Sequence, residues 1–144
     1  MKYAEFEVGQ VLHAGPYTVS EEEILAFATQ WDPQWFHTQP DAAATGPFQG
    51  LIASGWHTCC IAMRLAVDAF LAGSESYVSP GLDNIRWLHP VRPGDTLRLA
   101  ITVTDKRTSK SGLGVLRWDW ALENQDGVQV LGIDATNLFK MGNG

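Results

Sequence analysis

The sequence SGWHTCCIAMRLAVDAFL, residues 54–71, indicates the architecture more directly than any other part of the chain. From Trp56 to about Leu71 it has the length of a long helix, and apolar residues fall on almost every side of that helix. Arg64 and Asp68, one helical turn apart, supply the clearly charged side. A helix that is apolar nearly all the way round is a buried element. We therefore predict a central helix that other elements wrap.

The second half of the chain contains the strands that we expect to form a sheet around this helix. Apolar and polar residues alternate through residues 97–104 and again through 116–123, which is the period of a half-buried strand. Asp126-Gly127 is typical of a hairpin turn into a further strand over residues 128–139. A shorter strand is predicted near residues 85–88, and weaker candidates lie near Val11 and at residues 17–19. The fold class is therefore α+β, an antiparallel sheet around one long helix.

An earlier helix is marked by its ends. Ser20 followed by Glu23 is a capping box, and Pro33 stops the helix, so Asp32 lies where the helix gives way to a loop. We expect one apolar face from Ile24, Phe27, Ala28 and Trp31.

Composition limits the class of partner and the compartment. At 144 residues with a formal net charge of −6, the chain fits one domain and does not favour nucleic acid. The adjacent Cys59 and Cys60 predict free thiols. The first seven residues lack the apolar run of a signal peptide, and residues 58–71 are too short to span a bilayer. We expect a cytoplasmic protein with no membrane partner.

The segment DPQWFH, residues 32–37, carries the first candidate chemistry. A carboxylate (Asp32) and an imidazole (His37) stand five residues apart among large apolar residues, as an acid/base pair sharing one water would require. The end of the preceding helix is expected to raise the pKa of Asp32. The spacing alone favours the alternative, because an Asp at a helix end and a His in a loop are usually solvated or structural.

Ser54-Gly55 opens the central helix and is the second candidate. A glycine there exposes a backbone N–H at the positive end of the helix, where it can stabilise an oxygen that becomes negative. The alternative is that Ser54 is a plain N-cap and that Gly55 allows close packing.

Residues 32–37, 51–56 and 82–97 together resemble the MaoC-like dehydratases and (R)-specific enoyl-CoA hydratases, in the same order over nearly the whole chain. The resemblance implies one hotdog domain over residues 1–144. It implies that Asp32 and His37 activate a water and that the Gly55 N–H holds a thioester oxygen. The substrate would be a 2-enoyl-CoA or a 3-hydroxyacyl-CoA, with no cofactor and no metal.

The chain departs from the family pattern in three places. Gln34-Trp35 replaces a common Asn-Pro, Ser54 replaces a frequent His, and Met63 stands where some hydratases carry a serine. These changes leave the acyl group open. We expect the following residues to contact substrate: Trp35, Phe36, Ser54, Trp56 and His57. For His57 a core position is the alternative, and His13 and His89 are predicted to be structural.

Three functions remain open. The first is the hydro-lyase. The alternatives are a hotdog thioesterase and a non-catalytic module that binds acyl-CoA or an acyl carrier, since the fold alone does not determine the reaction. An unpaired sheet edge also predicts a homodimer, with CoA near the subunit boundary. Because CoA is anionic and the chain is acidic, its attraction would need a local basic cluster such as Lys106, Arg107 and Lys110.

Overall fold

The computed structural model describes residues 1–141. Five strands and four α-helices make up most of this part of the chain. In chain order they are β1 (Val11–Thr18), α1 (Glu21–Trp31), α2 (Trp35–Thr38), α3 (Pro40–Ala44), α4 (Gly55–Ala66), β2 (Gly81–Trp87), β3 (Thr96–Thr108), β4 (Gly114–Glu123) and β5 (Gln129–Phe139). A wide π-helical turn, Val67–Leu71, continues α4. The predicted long helix is thereby confirmed.

The strands form one antiparallel sheet in the order β1-β3-β4-β5-β2. The predicted alternation is confirmed at residues 97–104 of β3 and 116–123 of β4, where every second side chain is buried in the hydrophobic core. The two weak strand candidates at residues 11–19 prove to be a single edge strand, β1. The hairpin at Asp126-Gly127 joins β4 to β5 as predicted. The result is the expected α+β arrangement, with a curved sheet around a central helix.

Trp118 can be buried in the core beside the sheet because its indole N–H has a hydrogen-bond partner. Trp118 on β4 is 1% exposed, and its indole N–H donates to Oδ1 of Asn137 on β5 at 2.9 Å. Phe6 packs edge-on against the same indole, with ring centroids 5.3 Å apart. Burying an aromatic ring is favourable when its N–H keeps a partner.

The central helix is not buried on every side, which corrects the sequence prediction. Ile61, Ala62 and Leu65 face the sheet, whereas Trp56 and Met63 are 59% and 44% exposed. A five-stranded sheet curls around one side of a helix, so the opposite side stays open in a single copy of the chain.

Helix α1 begins after Ser20 and ends before Asp32, as predicted. The predicted capping box is only half formed, because the Glu23 carboxylate accepts from the Tyr17 hydroxyl and not from the Ser20 N–H. The Ser20 hydroxyl oxygen accepts a hydrogen bond from the Glu23 N–H at 3.1 Å, which confirms the N-cap. Ile24 and Ala28 are fully buried, but Trp31 is 67% exposed, so its assignment to the apolar face was wrong. The buried surface of α1 comes from its middle turns, and the last turn lies at the protein surface.

None of the described helices is long and apolar enough to cross a membrane.

Candidate active site

A cavity of about 430 Å³ opens beside the N-terminus of α4. This volume is in the range of small-molecule sites. The wall consists of Asp32, His37, Phe48, Ile52, Ala53, Gly55, Trp56, Thr58, Trp87, Leu88, His89, Pro90 and Val91. The three predicted catalytic residues therefore meet in one cavity, although Gly55 is 18 residues from the segment 32–37 that carries Asp32 and His37.

Asp32 caps the C-terminus of α1 and is held at both carboxylate oxygens. Gln34 donates its side-chain N–H to Oδ1 at 2.7 Å, and the Ser54 hydroxyl donates to Oδ2 at 2.8 Å. The Gln34 hydrogen bond, with help from Ser54 and the nearby His37, lowers the pKa of Asp32 below its ordinary 3.8, against the opposing effect of burial. The expectation of a raised pKa was wrong, because two direct donors outweigh the helix end.

His37 lies on the short helix α2 and is 5% exposed. Its Nδ1 is 2.7 Å from the carbonyl oxygen of Ile52. A carbonyl can only accept, so Nδ1 carries the hydrogen and Nε2 of the neutral ring presents a lone pair. Nε2 is 3.3 Å from Oδ2 of Asp32. A carboxylate oxygen and an imidazole lone pair thus point at the same small volume, a suitable place for a water or a shared proton.

Gly55 begins α4 at the edge of the same cavity. Among residues 1–141 no acceptor takes its backbone N–H, while its carbonyl accepts from the Trp87 indole N–H at 2.8 Å. A Cβ built on Gly55 would lie 2.6 Å from Nε1 of Trp87, so this position has no room for a side chain. Ser54 occupies the N-cap position without a capping bond, because its hydroxyl is given to Asp32. Gly55 therefore has the packing role given above as the alternative, because Trp87 leaves no room for a side chain. This packing leaves the backbone N–H of Gly55 available to a substrate.

The predicted substrate-contacting residues divide into two groups. Trp56 lines the cavity, whereas Trp35, Phe36, Ser54 and His57 are not among its wall residues. The latter four support the wall from behind. Trp35 packs against Gly46, and Phe36 packs against the His37 ring with centroids 4.4 Å apart. Ser54 is fully buried behind Asp32, and the His57 ring stacks on Phe27 of α1.

Sequence reasoning missed much of the cavity wall. Residues 87–91 form one side of it, and Phe48, Ile52, Ala53 and Thr58 form others. Residues 87–91 lie within the third stretch that carried the family resemblance, which was the available signal. His89 bonds through Nδ1 to the Gln129 carbonyl at 3.1 Å, as a structural histidine would, and it also borders the cavity.

The basic cluster near Lys106 does not lie at this cavity. Lys106 donates to the Phe6 carbonyl at 2.7 Å, near the far end of β3. Across the sheet, the wall residue Trp87 is level with Leu99 of β3, because the two residues belong to one row of paired residues. Arg107 is eight residues further along β3 than Leu99, which is about 26 Å along the strand. Arg92 is closer: its guanidinium donates to the carbonyl of the wall residue Phe48 at 2.6 Å. Within the described chain no three His, Cys, Asp or Glu side chains cluster as metal ligands.

Comparison with known proteins agrees with this arrangement. The family model for the MaoC like domain matches residues 4–117, most of the chain and all of the catalytic candidates. This chain belongs to the MaoC-like family. The uncharacterized protein YdeM of Bacillus subtilis is 32% identical to it over 140 residues, covering 97% of this chain and 99% of that protein.

Two further relatives carry more informative names. The crystal structure of the MaoC-like dehydratase from Rhodospirillum rubrum superposes on this MaoC-like chain with a TM-score of 0.87 at 34% identity, covering 96% of this chain and 97% of the other. The 3-hydroxyacyl-thioester dehydratase Z of Mycobacterium tuberculosis is 35% identical over 83 residues, covering 56% of this chain and 55% of that protein. The predicted hotdog fold is confirmed by the structural match.

Proposed function

We propose that this chain is a hydro-lyase that adds water to a 2-enoyl-CoA thioester, or removes it from the 3-hydroxyacyl-CoA. One observation carries the proposal: Oδ2 of Asp32 and Nε2 of His37 lie 3.3 Å apart in the wall of a cavity that also holds the free N–H of Gly55. Membership of the MaoC-like family and a relative named as a 3-hydroxyacyl-thioester dehydratase support the same chemistry.

In this mechanism the substrate water lies on the cavity side of Oδ2 of Asp32 and Nε2 of His37, within hydrogen-bond reach of both. The Nε2 lone pair of His37 accepts one water hydrogen as the water oxygen bonds to the β-carbon of the enoyl group. Asp32 orients the water and stabilises the imidazolium that forms. The pair of electrons displaced from the double bond moves toward the thioester oxygen, and the proton is then delivered to the α-carbon. Dehydration is the same sequence in reverse.

The Gly55 N–H stabilises the thioester oxygen while it carries enolate charge. It stands at the positive end of α4, where an oxyanion is favoured, and the Trp87 indole keeps the position free of a side chain. Apolar wall residues, among them Ile52 and Val91, which are both buried, lower the polarity around the reacting atoms.

The decisive experiment is incubation of the protein with a panel of 2-enoyl-CoAs and 3-hydroxyacyl-CoAs, with products identified by mass. A change of 18 mass units with the thioester intact supports hydration or dehydration, as expected for addition or loss of one water. Release of free CoA would instead assign the thioesterase reaction. Binding without any product, unaffected by changes at Asp32 and His37, would assign the non-catalytic binding module.

We further propose that the functional unit is a homodimer formed along β2. This edge strand is almost wholly exposed. Exposed apolar side chains lie on the strand itself, on the loops beside it and on α4. They are Trp56, Met63, Tyr77, Val78, Leu82, Trp87 and Leu88. An exposed apolar patch beside an unpaired strand edge favours association with a second copy. Because Trp87 and Leu88 also line the cavity, CoA would lie close to the boundary between the copies.

A further inference from the structure

A second cavity, with a volume of about 290 Å³, adjoins the cavity of the candidate active site. Trp56 borders both cavities, and no other residue in the described part of the chain does. No Asp, Glu, Lys, Arg or His is among the described residues of the second wall, which include Cys59, Cys60, Met63, Leu82, Ile133 and Ala135. Such a cavity suits a hydrocarbon group, because burying apolar surface is favourable and burying a charge is not.

The two cavities follow one another along α4. Gly55 borders the first and Trp56 borders both. Cys59, Cys60 and Met63 border the second, and their spacing from Trp56 places all four residues on one face of the helix. Seven residues separate Trp56 from Met63, which is about 10 Å along the helix axis. The Trp56 side chain therefore lies where the first cavity ends and the second begins.

The Trp56 ring packs against a second indole that is held in place. Trp87 lies edge-to-face with it, with ring centroids 5.6 Å apart and planes 74° from parallel. The Trp87 indole N–H in turn donates to the Gly55 carbonyl at 2.8 Å. Edge-to-face packing is a favoured arrangement of two aromatic rings. Trp56 therefore keeps a defined position between the two cavities, although it is 59% exposed.

We infer that Trp56 limits the length of the acyl chain, so that this chain acts on short acyl groups. The inference rests on the proposed function, in which the N–H of Gly55, the preceding residue, holds the thioester oxygen. An acyl chain that starts at that carbonyl and runs along α4 meets the Trp56 ring after a few carbons. Removing the ring would join the two cavities and admit a longer chain. Each further methylene that is buried then adds about fourfold to the affinity.

The test compares Trp56→Ala, Ala135→Leu, the double variant and Trp31→Ala. Ala135 lies on the inward face of β5, is 2% exposed and borders only the second cavity, so a leucine there fills part of that cavity. Trp31 is 67% exposed and is not among the wall residues of either cavity. It is the matched control for the loss of an exposed tryptophan.

The first readout is kcat/KM for crotonyl-CoA, octenoyl-CoA and dodecenoyl-CoA, measured beside the thermal melt of each protein. Wild type, Trp31→Ala and Ala135→Leu should all prefer crotonyl-CoA to the same degree. Trp56→Ala should raise the ratio of dodecenoyl-CoA to crotonyl-CoA turnover about tenfold or more, and the double variant should lose that gain.

Three results would overturn the inference. One is a wild-type protein that turns over dodecenoyl-CoA as well as crotonyl-CoA. Another is a folded Trp56→Ala variant that keeps the wild-type ratio. The third is a double variant that keeps the whole gain, because the longer chain would then lie outside the second cavity.

A readout independent of turnover distinguishes this inference from the proposed function. Butyryl-CoA, octanoyl-CoA and dodecanoyl-CoA lack the double bond and cannot be hydrated, and their affinities are measured by calorimetry. The affinity should stop rising at a shorter chain in wild type than in Trp56→Ala. A wild-type affinity that keeps rising about fourfold per methylene up to dodecanoyl-CoA would disprove the limit, whatever the reaction. The expected affinities in a protein that hydrates no enoyl-CoA would support the limit and count against the hydro-lyase assignment.

Discussion

Asp32 and His37 converge because each side chain is held in place by hydrogen bonds to its neighbours. The Ile52 carbonyl accepts from Nδ1–H of His37, while Gln34 donates to Oδ1 of Asp32 and the Ser54 hydroxyl donates to Oδ2. Oδ2, which can accept a further hydrogen bond, faces Nε2 of His37 at 3.3 Å. A single water bridging them would be oriented on both sides, which is why we expect the two residues to act as one unit.

Asp32→Asn and His37→Ala should each lower turnover of the best enoyl thioester by about a hundredfold or more. The double variant should lose little beyond either single one, because both residues serve one step. Turnover of all three proteins is measured beside their thermal melts. Either single variant that melts normally and keeps close to the parental rate would refute the assignment.

Gly55 allows its two roles to be separated. Gly55→Ala and Gly55→Pro both place a Cβ against the Trp87 indole, but only proline removes the N–H. Proline is tolerated in the first turn of a helix, and Ser54, with φ −57° and ψ 139°, has the backbone that a following proline requires. We expect the Pro variant to lose about a hundredfold more kcat than the Ala variant. Equal losses would leave packing as the whole explanation.

Ser54 should contribute, after Gln34, to the lowered pKa of Asp32. Its hydroxyl bond helps to lower the pKa of that carboxyl, so Ser54→Ala should raise it, as followed by carboxyl ¹³C NMR against pH. A lowered pKa stabilises the fold above the ordinary value of 3.8, and this contribution is lost as pH falls through the lowered pKa. Stability of the variant should therefore depend less on Asp32 ionisation. Ser111→Ala, in an exposed turn, is the control and should leave the titration unchanged.

Among the secondary-structure elements, helix α1 positions Asp32, which lies at its C-terminus. The N-terminus of α1 is capped by Ser20. Ser20→Ala removes the acceptor of the Glu23 N–H and should lower the free energy of unfolding by about 1 kcal/mol in a urea titration. Ser20→Asp keeps an acceptor and should retain most of the stability. An Ala variant as stable as wild type would show that the cap is not needed to hold α1.

The whole molecule exposes two sheet edges of different character. The β2 edge is bordered by Leu82 and its apolar neighbours, and the opposite edge strand, β1, carries the exposed Val11. Leu82→Glu should convert a dimer to a monomer in sedimentation at micromolar concentration, whereas Val11→Glu should not. A wild-type chain that sediments as a monomer, or a Val11→Glu variant that dissociates, would contradict pairing along β2.

The sequence by itself determined the long helices, the strands and their order, because periodicity and end signals act over a few residues. It did not indicate the short helices α2 and α3, which are too short to show a helical period. The alternation at residues 97–104, the Ser20 cap and the Asp126-Gly127 turn each had their predicted outcome. The family resemblance brought Asp32, His37 and Gly55 into one site, and they do border one cavity.

Only the tertiary structure decided how these groups are charged and what surrounds them. The lowered pKa of Asp32 depends first on Gln34, two residues away, and then on Ser54, 22 residues away. The tautomer of His37 depends on Ile52. The need for glycine at position 55 comes from the Trp87 indole, 32 residues away. Hydrogen bonds and close contacts between distant segments leave no periodic trace in the chain, since they form only when the sheet closes on α4. The exposed side of α4 was likewise not predictable from the sequence. The apolar residues of α4 favour burial, but they do not indicate whether the chain's own sheet or a second copy buries them.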